Sequence, residues 1–264
     1  MSKIAVIDCD SVIFSIINPN KVLDEVGNPV KKLSEAGNMV NVYEDKTEEE
    51  IETSAKWFMS SILLECKAVE YVGFLKGKDT VKNKTLINPE YKANRTGTIP
   101  FGYEFARNYL VENYNVFKVD DLEVDDAVNI YRLAVPDSFI CAIDSDLLSL
   151  EGTHFNWRKK EWVTTKKDEA DYIFWKNMIT GTHNATKGIP RKGEKYVLKA
   201  FEQAEIAGEF LDVATYREFT AHFGIEEGIK QFYSNYICTK ILEKSDIFDF
   251  AKYPTQETKS IFKL

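Results

Sequence analysis

Ile4-Ala5-Val6-Ile7-Asp8-Cys9-Asp10 and Phe139-Ile140-Cys141-Ala142-Ile143-Asp144-Ser145-Asp146 are built alike. Each is a short apolar run that ends on an Asp-x-Asp pair. A continuous apolar run of strand length is what a strand buried on both faces of a parallel sheet requires. In an open α/β sheet the C-terminal strand ends border the ligand crevice. Carboxylates at two such ends therefore converge. A third cluster, Glu123-Val124-Asp125-Asp126, opens an expected helix, where Glu123 and Asp126 share a face. Each pair could alone be a solvated turn or a cap, and acids in a first helical turn can simply answer the helix dipole. An apolar strand ahead of both Asp-x-Asp pairs favours convergence. Converged carboxylates repel one another unless a hard cation such as Mg²⁺ or Mn²⁺ lies between them. The three clusters thus predict a metal-dependent site, of a kind suited to phosphate esters.

Outward from these runs the chain alternates strands and helices. Residues 11–17 form a short element after the first strand. Residues 18–46 read as a surface β-ribbon turning at Asp24-Glu25-Val26-Gly27-Asn28-Pro29. Thr47-Glu48-Glu49-Glu50 is a capping-box pattern opening a helix, with Ile51, Ala55, Phe58, Met59, Ile62 and Leu63 at helical spacing. Tyr71–Leu75 is a strand. Residues 76–100 are polar, basic and broken by Gly and Pro, long for a plain connection. A helix over about 101–114, a strand at Val116–Val119 and a helix from Glu123 to Ala134 follow. Residues 154–157 and 161–163 form a hairpin. From Asp168 the pattern is helical, with a Gly/Pro/Lys-rich break at 181–195. The fold class is α/β, a mainly parallel sheet flanked by helices. The expected division is a core over 1–165 and a helical subdomain over 166–264.

The 264 residues are 44% hydrophobic, enough for a sizeable core, and contain no apolar run long enough to span a membrane. The chain enters a strand pattern almost at once, which predicts no secretory leader and a cytoplasmic location. Cys9, Cys66, Cys141 and Cys238 show no CxxC spacing, so reduced thiols are expected. A net charge of −8 argues weakly against nucleic acid, but acids gathered around a cation account for part of it.

Two basic stretches counter that charge. Pro89-Glu90-Tyr91-Lys92-Ala93-Asn94-Arg95, preceded by Lys82 and Lys84, interleaves cations with an aromatic ring. Such a mixture suits a phosphate backbone with a ring face for a base, although most charge runs are solvated loops. Gly188-Ile189-Pro190-Arg191-Lys192-Gly193-Glu194-Lys195, with Lys187 and Lys199, is the most basic part of the chain. Glycines there let the backbone approach a phosphate at a helix N-terminus. An ordinary helix–turn–helix connection uses the same residue types.

Tyr91-Lys92-Ala93-Asn94-Arg95, then an aromatic helix, then Leu122-Glu123-Val124-Asp125-Asp126-Ala127, then Asp144-Ser145-Asp146-Leu147-Leu148 resembles the 5′-nuclease superfamily. That family includes flap endonucleases, the 5′-to-3′ exonuclease of bacterial DNA polymerase I and phage 5′-exonucleases, and the phage enzymes look most similar. The resemblance runs in order from about residue 3 to residue 200. It implies a PIN-like fold with a helical arch over 76–114 and a helix-hairpin-helix-type element over about 181–200. It implies metal residues Asp8, Asp10, Glu123, Asp125, Asp126, Asp144 and Asp146, with Mg²⁺ or Mn²⁺ as cofactor. Lys92 and Arg95 are matched to arch residues that contact the scissile phosphate, and with Asp8 are the expected catalytic groups. Lys84 and Tyr91 join them as nucleic-acid contacts. Lys187, Gly188, Arg191, Lys192, Gly193, Lys195 and Lys199 are the implied duplex contacts, at an element that in the family often binds K⁺. The implied partner is DNA with 5′ ends or flaps, extending to RNA–DNA hybrids and replication proteins, in phage or bacterial replication. A phage-encoded protein would then work in the host cytoplasm.

Two departures matter. Before its duplex-binding element the family reads Gly-Asp-x-x-Asp-Asn, which completes a second metal site. Here Gly181-Thr182-His183-Asn184-Ala185-Thr186-Lys187-Gly188 has no carboxylate. The strand at 71–75 also ends on Lys76 where a metal Asp is frequent. The expected activity is 5′-exonuclease or flap endonuclease. The rival is a catalytically degenerate relative that binds DNA structure without cutting, and a PIN-like ribonuclease is a third, weaker alternative.

Overall fold

The computed structural model describes residues 4–93, 98–182 and 185–261. Arg95, His183 and Asn184 lie outside them. The chain begins with β1 (Ile4–Asp8) and α1 (Cys9–Ile16). The ribbon follows as β2 (Asn20–Lys21), β3 (Lys31–Leu33), β4 (Met39–Asn41) and β5 (Tyr43–Glu44), pairing β2 with β5 and β3 with β4. Its expected turn forms where Asp24 accepts the Val26 and Asn28 N–H groups and Gly27 takes a positive φ of 86°.

Helix α2 (Glu48–Cys66) starts at the predicted capping box: the Glu50 N–H donates to Thr47 Oγ1 and the Thr47 N–H to Glu50 Oε2. Ile51, Ala55, Met59, Ile62, Leu63 and Cys66 form its buried stripe, the 3.6-residue repeat of one helical face. Then come β6 (Glu70–Lys76), α3 (Lys82–Ile87), α4 (Tyr103–Asn113), β7 (Val116–Val119), α5 (Val124–Ala134), β8 (Ser138–Cys141), β9 (Gly152–Asn156) and β10 (Glu161–Thr165). Helix α3 occupies part of the stretch read as an irregular connection, and β8 stops two residues before the expected Ile143 because the chain turns away after Ala142 donates to the Phe155 carbonyl.

The central sheet runs β10-β9-β8-β1-β6, with β7 and the late β11 (Gln256–Glu257) sharing the far edge of β6. Strands β1, β6, β7, β8 and β9 are parallel, and the register sets Asp8 opposite Phe74 and Ile7 opposite Cys141. One edge therefore carries the C-terminal ends of β1, β6, β7 and β8. Two cores flank the sheet. One holds Ile7, Ile13, Met59, Leu63 and Phe139; the other holds Val6, Phe74, Val128, Ile140 and Phe248.

Helices α6 (Lys167–Thr180), α7 (Glu194–Ile206), α8 (Leu211–Phe223) and α9 (Ile225–Thr239) pack around a separate cluster of Met178, Ile179, Val197, Phe201, Phe219 and Phe232. The chain beyond α9 departs from the expected helical continuation. Ile241 and Phe248 pack into the second sheet core, and β11 pairs with β6. Asn115 Nδ2 donates to the Pro254 carbonyl, Tyr131 Oη to the Tyr253 carbonyl and Thr258 Oγ1 to the Ala68 carbonyl. A two-residue strand carries no periodicity, which is why this return was not legible in sequence.

Candidate metal centre and nucleic-acid interface

At the shared strand edge, Asp8 ends β1 and caps α1 by accepting the Asp10 N–H at 3.0 Å. It is 5% exposed. Burial, then the charges of Asp10 and Asp144, push its carboxyl up to about 7. Asp10 accepts the Lys76 N–H at 3.0 Å and so ties α1 to the end of β6; burial raises its pKa too. Asp144 accepts the Asp146 N–H at 2.9 Å, the turn that lets the chain leave β8 with both acids at the edge.

The acids of the 123–126 cluster divide: Glu123 and Asp126 stand beside Lys84, and Asp125 faces the strand-end acids. Glu123, at the N-cap position of α5, is buried under three donors: Lys84, Lys92 and the Tyr91 phenol, which reaches both carboxylate oxygens at 3.2 and 2.9 Å. Burial disfavours its charge, yet Lys84 and Lys92 hold its pKa below the usual value. Asp125 faces Asp8 and Asp144. Burial, then those two charges, push it well above the ordinary range. Asp126 faces away: Oδ1 accepts the Leu242 N–H at 2.8 Å and Oδ2 stands 4.0 Å from Lys84 Nζ.

The ring expected to offer a face to a base does not do so. Tyr91 is 4% exposed, with Lys84 and Lys92 Nζ over its ring at 5.6 and 5.0 Å. Its hydroxyl is drawn inward by Glu123, a partner 32 residues away that local composition cannot reveal. Lys92 has a left-handed backbone, φ 56°, and its ammonium is paired with Glu123.

These groups line an open cleft of about 830 Å³, walled by Asp8, Asp10, Tyr91, Lys92, Glu123, Asp125, Asp144 and Asp146. Lys76 and Phe14 also line it. Sequence reasoning missed Phe14, 54% exposed, because it reads as an ordinary apolar position of α1. The donor chemistry fits a hard divalent cation: Asp8, Asp125 and Asp144 are oxygen donors, and Asp8 and Asp125 are raised first by burial and then by neighbouring carboxylates, both of which a cation would offset. Among the described residues no three acidic, imidazole or thiol side chains already enclose a point. The cluster is crowded in charge and not closed. A narrow extension reaches Thr182, Ala185, Asn177 and Thr239. None of these four residues carries a carboxylate, so this wall supplies no anionic oxygen, and the Thr182 hydroxyl is engaged with Thr186.

The basic element divides as well. Lys187, Arg191, Lys195 and Lys199 are exposed. Lys192 is not: its ammonium pairs with Glu218 and meets Tyr196 Oη at 3.0 Å. Gly188 is packed against its own chain, where a Cβ would stand 2.2 Å from the Thr180 carbonyl carbon. At Gly193, which precedes α7, a Cβ would meet nothing within 4 Å.

No family model and no curated protein sequence matches this chain. Solved structures do. The T5 D15 protein, co-crystallised with metal ions, superposes with a TM-score of 0.63 at 12% identity over 90% of this chain and 89% of that one. T5 5′-exonuclease with bound zinc gives 0.63 at 13%, over 90% and 89%. The catalytic core of Rad2 with DNA substrate gives 0.52 at 11%, over 94% and 82%. The likeness extends over nine-tenths or more of this chain, and the protein has the fold of the 5′-nuclease superfamily.

Proposed function

We propose that this protein is a metal-dependent 5′-nuclease that hydrolyses phosphodiesters at 5′ ends or flaps of DNA. One observation carries the proposal: Asp8, Asp125 and Asp144 are gathered at one strand edge, where burial first and neighbouring carboxylates second raise the pKa values of Asp8 and Asp125, and Lys92 stands on the same cleft. Perturbed acids in a cleft mark functional sites. The fold adds support, since its solved neighbours include proteins with metal ions and with DNA substrate.

Asp8, Asp125, Asp144 and Asp146 would hold Mg²⁺ or Mn²⁺. Bound there, the cation would supply Lewis acidity toward a phosphoryl oxygen and a more acidic water. Asp10 fixes the end of β6 through the Lys76 N–H. Lys92 and Arg95 are the cations assigned to the phosphate, where they would stabilise developing negative charge. Lys92 would exchange Glu123 for that phosphate. Lys187, Arg191, Lys195 and Lys199 would hold duplex backbone. RNA–DNA hybrid substrates, a K⁺ ion at the 181–199 element and a role in phage or bacterial replication extend the same reading.

A second reading, DNA binding without cleavage, draws on the wall at Thr182 and Ala185, which offers no carboxylate to a second cation. A 5′-flap duplex incubated with Mg²⁺ or Mn²⁺ separates the two. Cleavage by the wild type and none by Asp125→Asn supports the nuclease. Retained binding with no cleavage at any metal concentration overturns it in favour of the second reading.

A further inference from the structure

Leu242 is held by both of its backbone polar groups. Its N–H donates to Asp126 Oδ1 at 2.8 Å, and its carbonyl accepts from Asn129 Nδ2 at 2.9 Å. Asp126 and Asn129 lie three apart on α5 and so present one face. Asn129 is itself steadied by Arg132, whose Nη2 donates to Asn129 Oδ1 at 2.8 Å. The preceding residue, Ile241, is buried in the core that also holds Val124, Ala127 and Val128 of α5. Cys238, Thr239 and Ile241 line the narrow extension of the cleft beside Asp125. The segment leaving α9 is therefore a strap across α5.

The strap bears on the metal centre through helix rotation. Asp125 and Asp126 are adjacent and point about 100° apart around the helix axis. Tying Asp126 to a peptide that is itself bonded to Asn129 and anchored by buried Ile241 constrains where Asp125 points. Asp126 is 3% exposed, with the Leu242 N–H and the Lys84 ammonium as its polar partners.

We propose that Asp126 is a positioning residue, which acts through the Leu242 peptide to set the rotation of α5 and the aim of Asp125. The strap at residues 240–242 is then a structural part of the metal centre. The inference rests on the proposed metal site, and it removes Asp126 from the ligand set that the sequence pattern implies.

The test is Mn²⁺ binding to the full chain, followed by electron paramagnetic resonance of free Mn²⁺, with hydrogen exchange at the Leu242 amide. Asp126→Asn keeps an acceptor for that amide; it should keep the amide protected and bind Mn²⁺ within about threefold of wild type. Asp126→Ala and Asn129→Ala should each expose the amide and weaken Mn²⁺ by about tenfold, the lower end of outer-shell effects on metal sites. Asp125→Asn should weaken Mn²⁺ by about a hundredfold or more while the amide stays protected. If Asp126→Asn loses Mn²⁺ as Asp125→Asn does, Asp126 is a ligand and the proposal falls. It falls also if Asp126→Ala exposes the amide and leaves Mn²⁺ affinity unchanged. A wild type that binds no Mn²⁺ overturns the metal site itself, and the positioning role with it.

Discussion

The Tyr91 phenol donates to both carboxylate oxygens of Glu123, at 3.2 and 2.9 Å, and closes one side of the cleft. Burial followed by the Glu123 charge raises the phenol's own pKa, so it stays a donor throughout the working pH range. Tyr91→Phe removes the donor and keeps the ring. It should cost about 1.5–3 kcal/mol, the range for a hydrogen bond to a charged group. Urea unfolding of the variant measures this. Because Lys84 and Lys92 still hold Glu123, its carboxylate should remain ionised at neutral pH and metal binding should persist.

Asp8 makes the metal-free protein pH-sensitive in a definite direction. Its folded pKa is pushed up to about 7 from an ordinary 3.8. Between those values the folded state binds more protons than the unfolded one, so stability falls as pH rises through that window and levels off above it. One such group contributes at most about 1.4 kcal/mol per pH unit. The melting temperature in EDTA should therefore drop from pH 4 to pH 7, and Asp8→Asn should flatten the drop. Mg²⁺ or Mn²⁺ needs the ionised carboxyl, so its stabilising effect should grow over the same interval, with protons released on binding. A melting temperature independent of pH in EDTA would show that Asp8 is not a strained acid.

The acids at strand ends were legible because two ordinary signals coincide there. A continuous apolar run specifies a buried strand, and a parallel sheet fixes which end meets the crevice. Asp8 and Asp144 follow from that alone. Asp125 and Asp126 do not separate in sequence: both are Asp in one turn, and only the placement of α5 against the sheet and against Leu242 tells the inward acid from the outward one. The same holds for the basic stretches. Tyr91 and Lys92 read as solvent-facing until Glu123 is brought beside them, and Lys192 matches Lys195 in composition until Glu218 removes it from the surface. The ribbon and the capping box of α2 were legible because turn and cap chemistry is local. The strap at residues 240–242 was not, since its partners are 113 and 116 residues away.

Lys192 and the pair Lys195 and Lys199 should therefore fail differently. Lys195 and Lys199 are exposed, so their joint replacement by Ala should leave folding intact. On duplex DNA it should flatten the log–log salt dependence of binding by about 0.9 for each phosphate that is no longer neutralised. Lys192→Ala instead removes the cation beside the buried Glu218 carboxylate and leaves it the Tyr196 hydroxyl as donor. It should cost about 1–3 kcal/mol of stability. Its salt slope, measured at a temperature where the variant is folded, should match wild type. An unchanged slope for the double variant would take the α7 face out of the interface.

Gly188 and Gly193 flank the same basic turn and give the sharpest contrast. At Gly188 a methyl would press on backbone atoms of Thr180, Gly181 and Ile179 at 2.2 to 2.3 Å, none of which is a flexible side-chain end. Gly188→Ala should destabilise the protein by about 1–3 kcal/mol, as overpacking does. At Gly193 the added methyl meets open space, and the backbone φ of −85° suits any residue. Gly193→Ala should therefore fold with wild-type stability. If the N-terminus of α7 receives a phosphate, the methyl would stand between the backbone N–H groups and that phosphate. DNA affinity should then fall several-fold with no change in the melting curve. Unchanged affinity in Gly193→Ala would show that the glycine serves only the turn, and would leave the side chains of Arg191, Lys195 and Lys199 to hold the duplex by themselves.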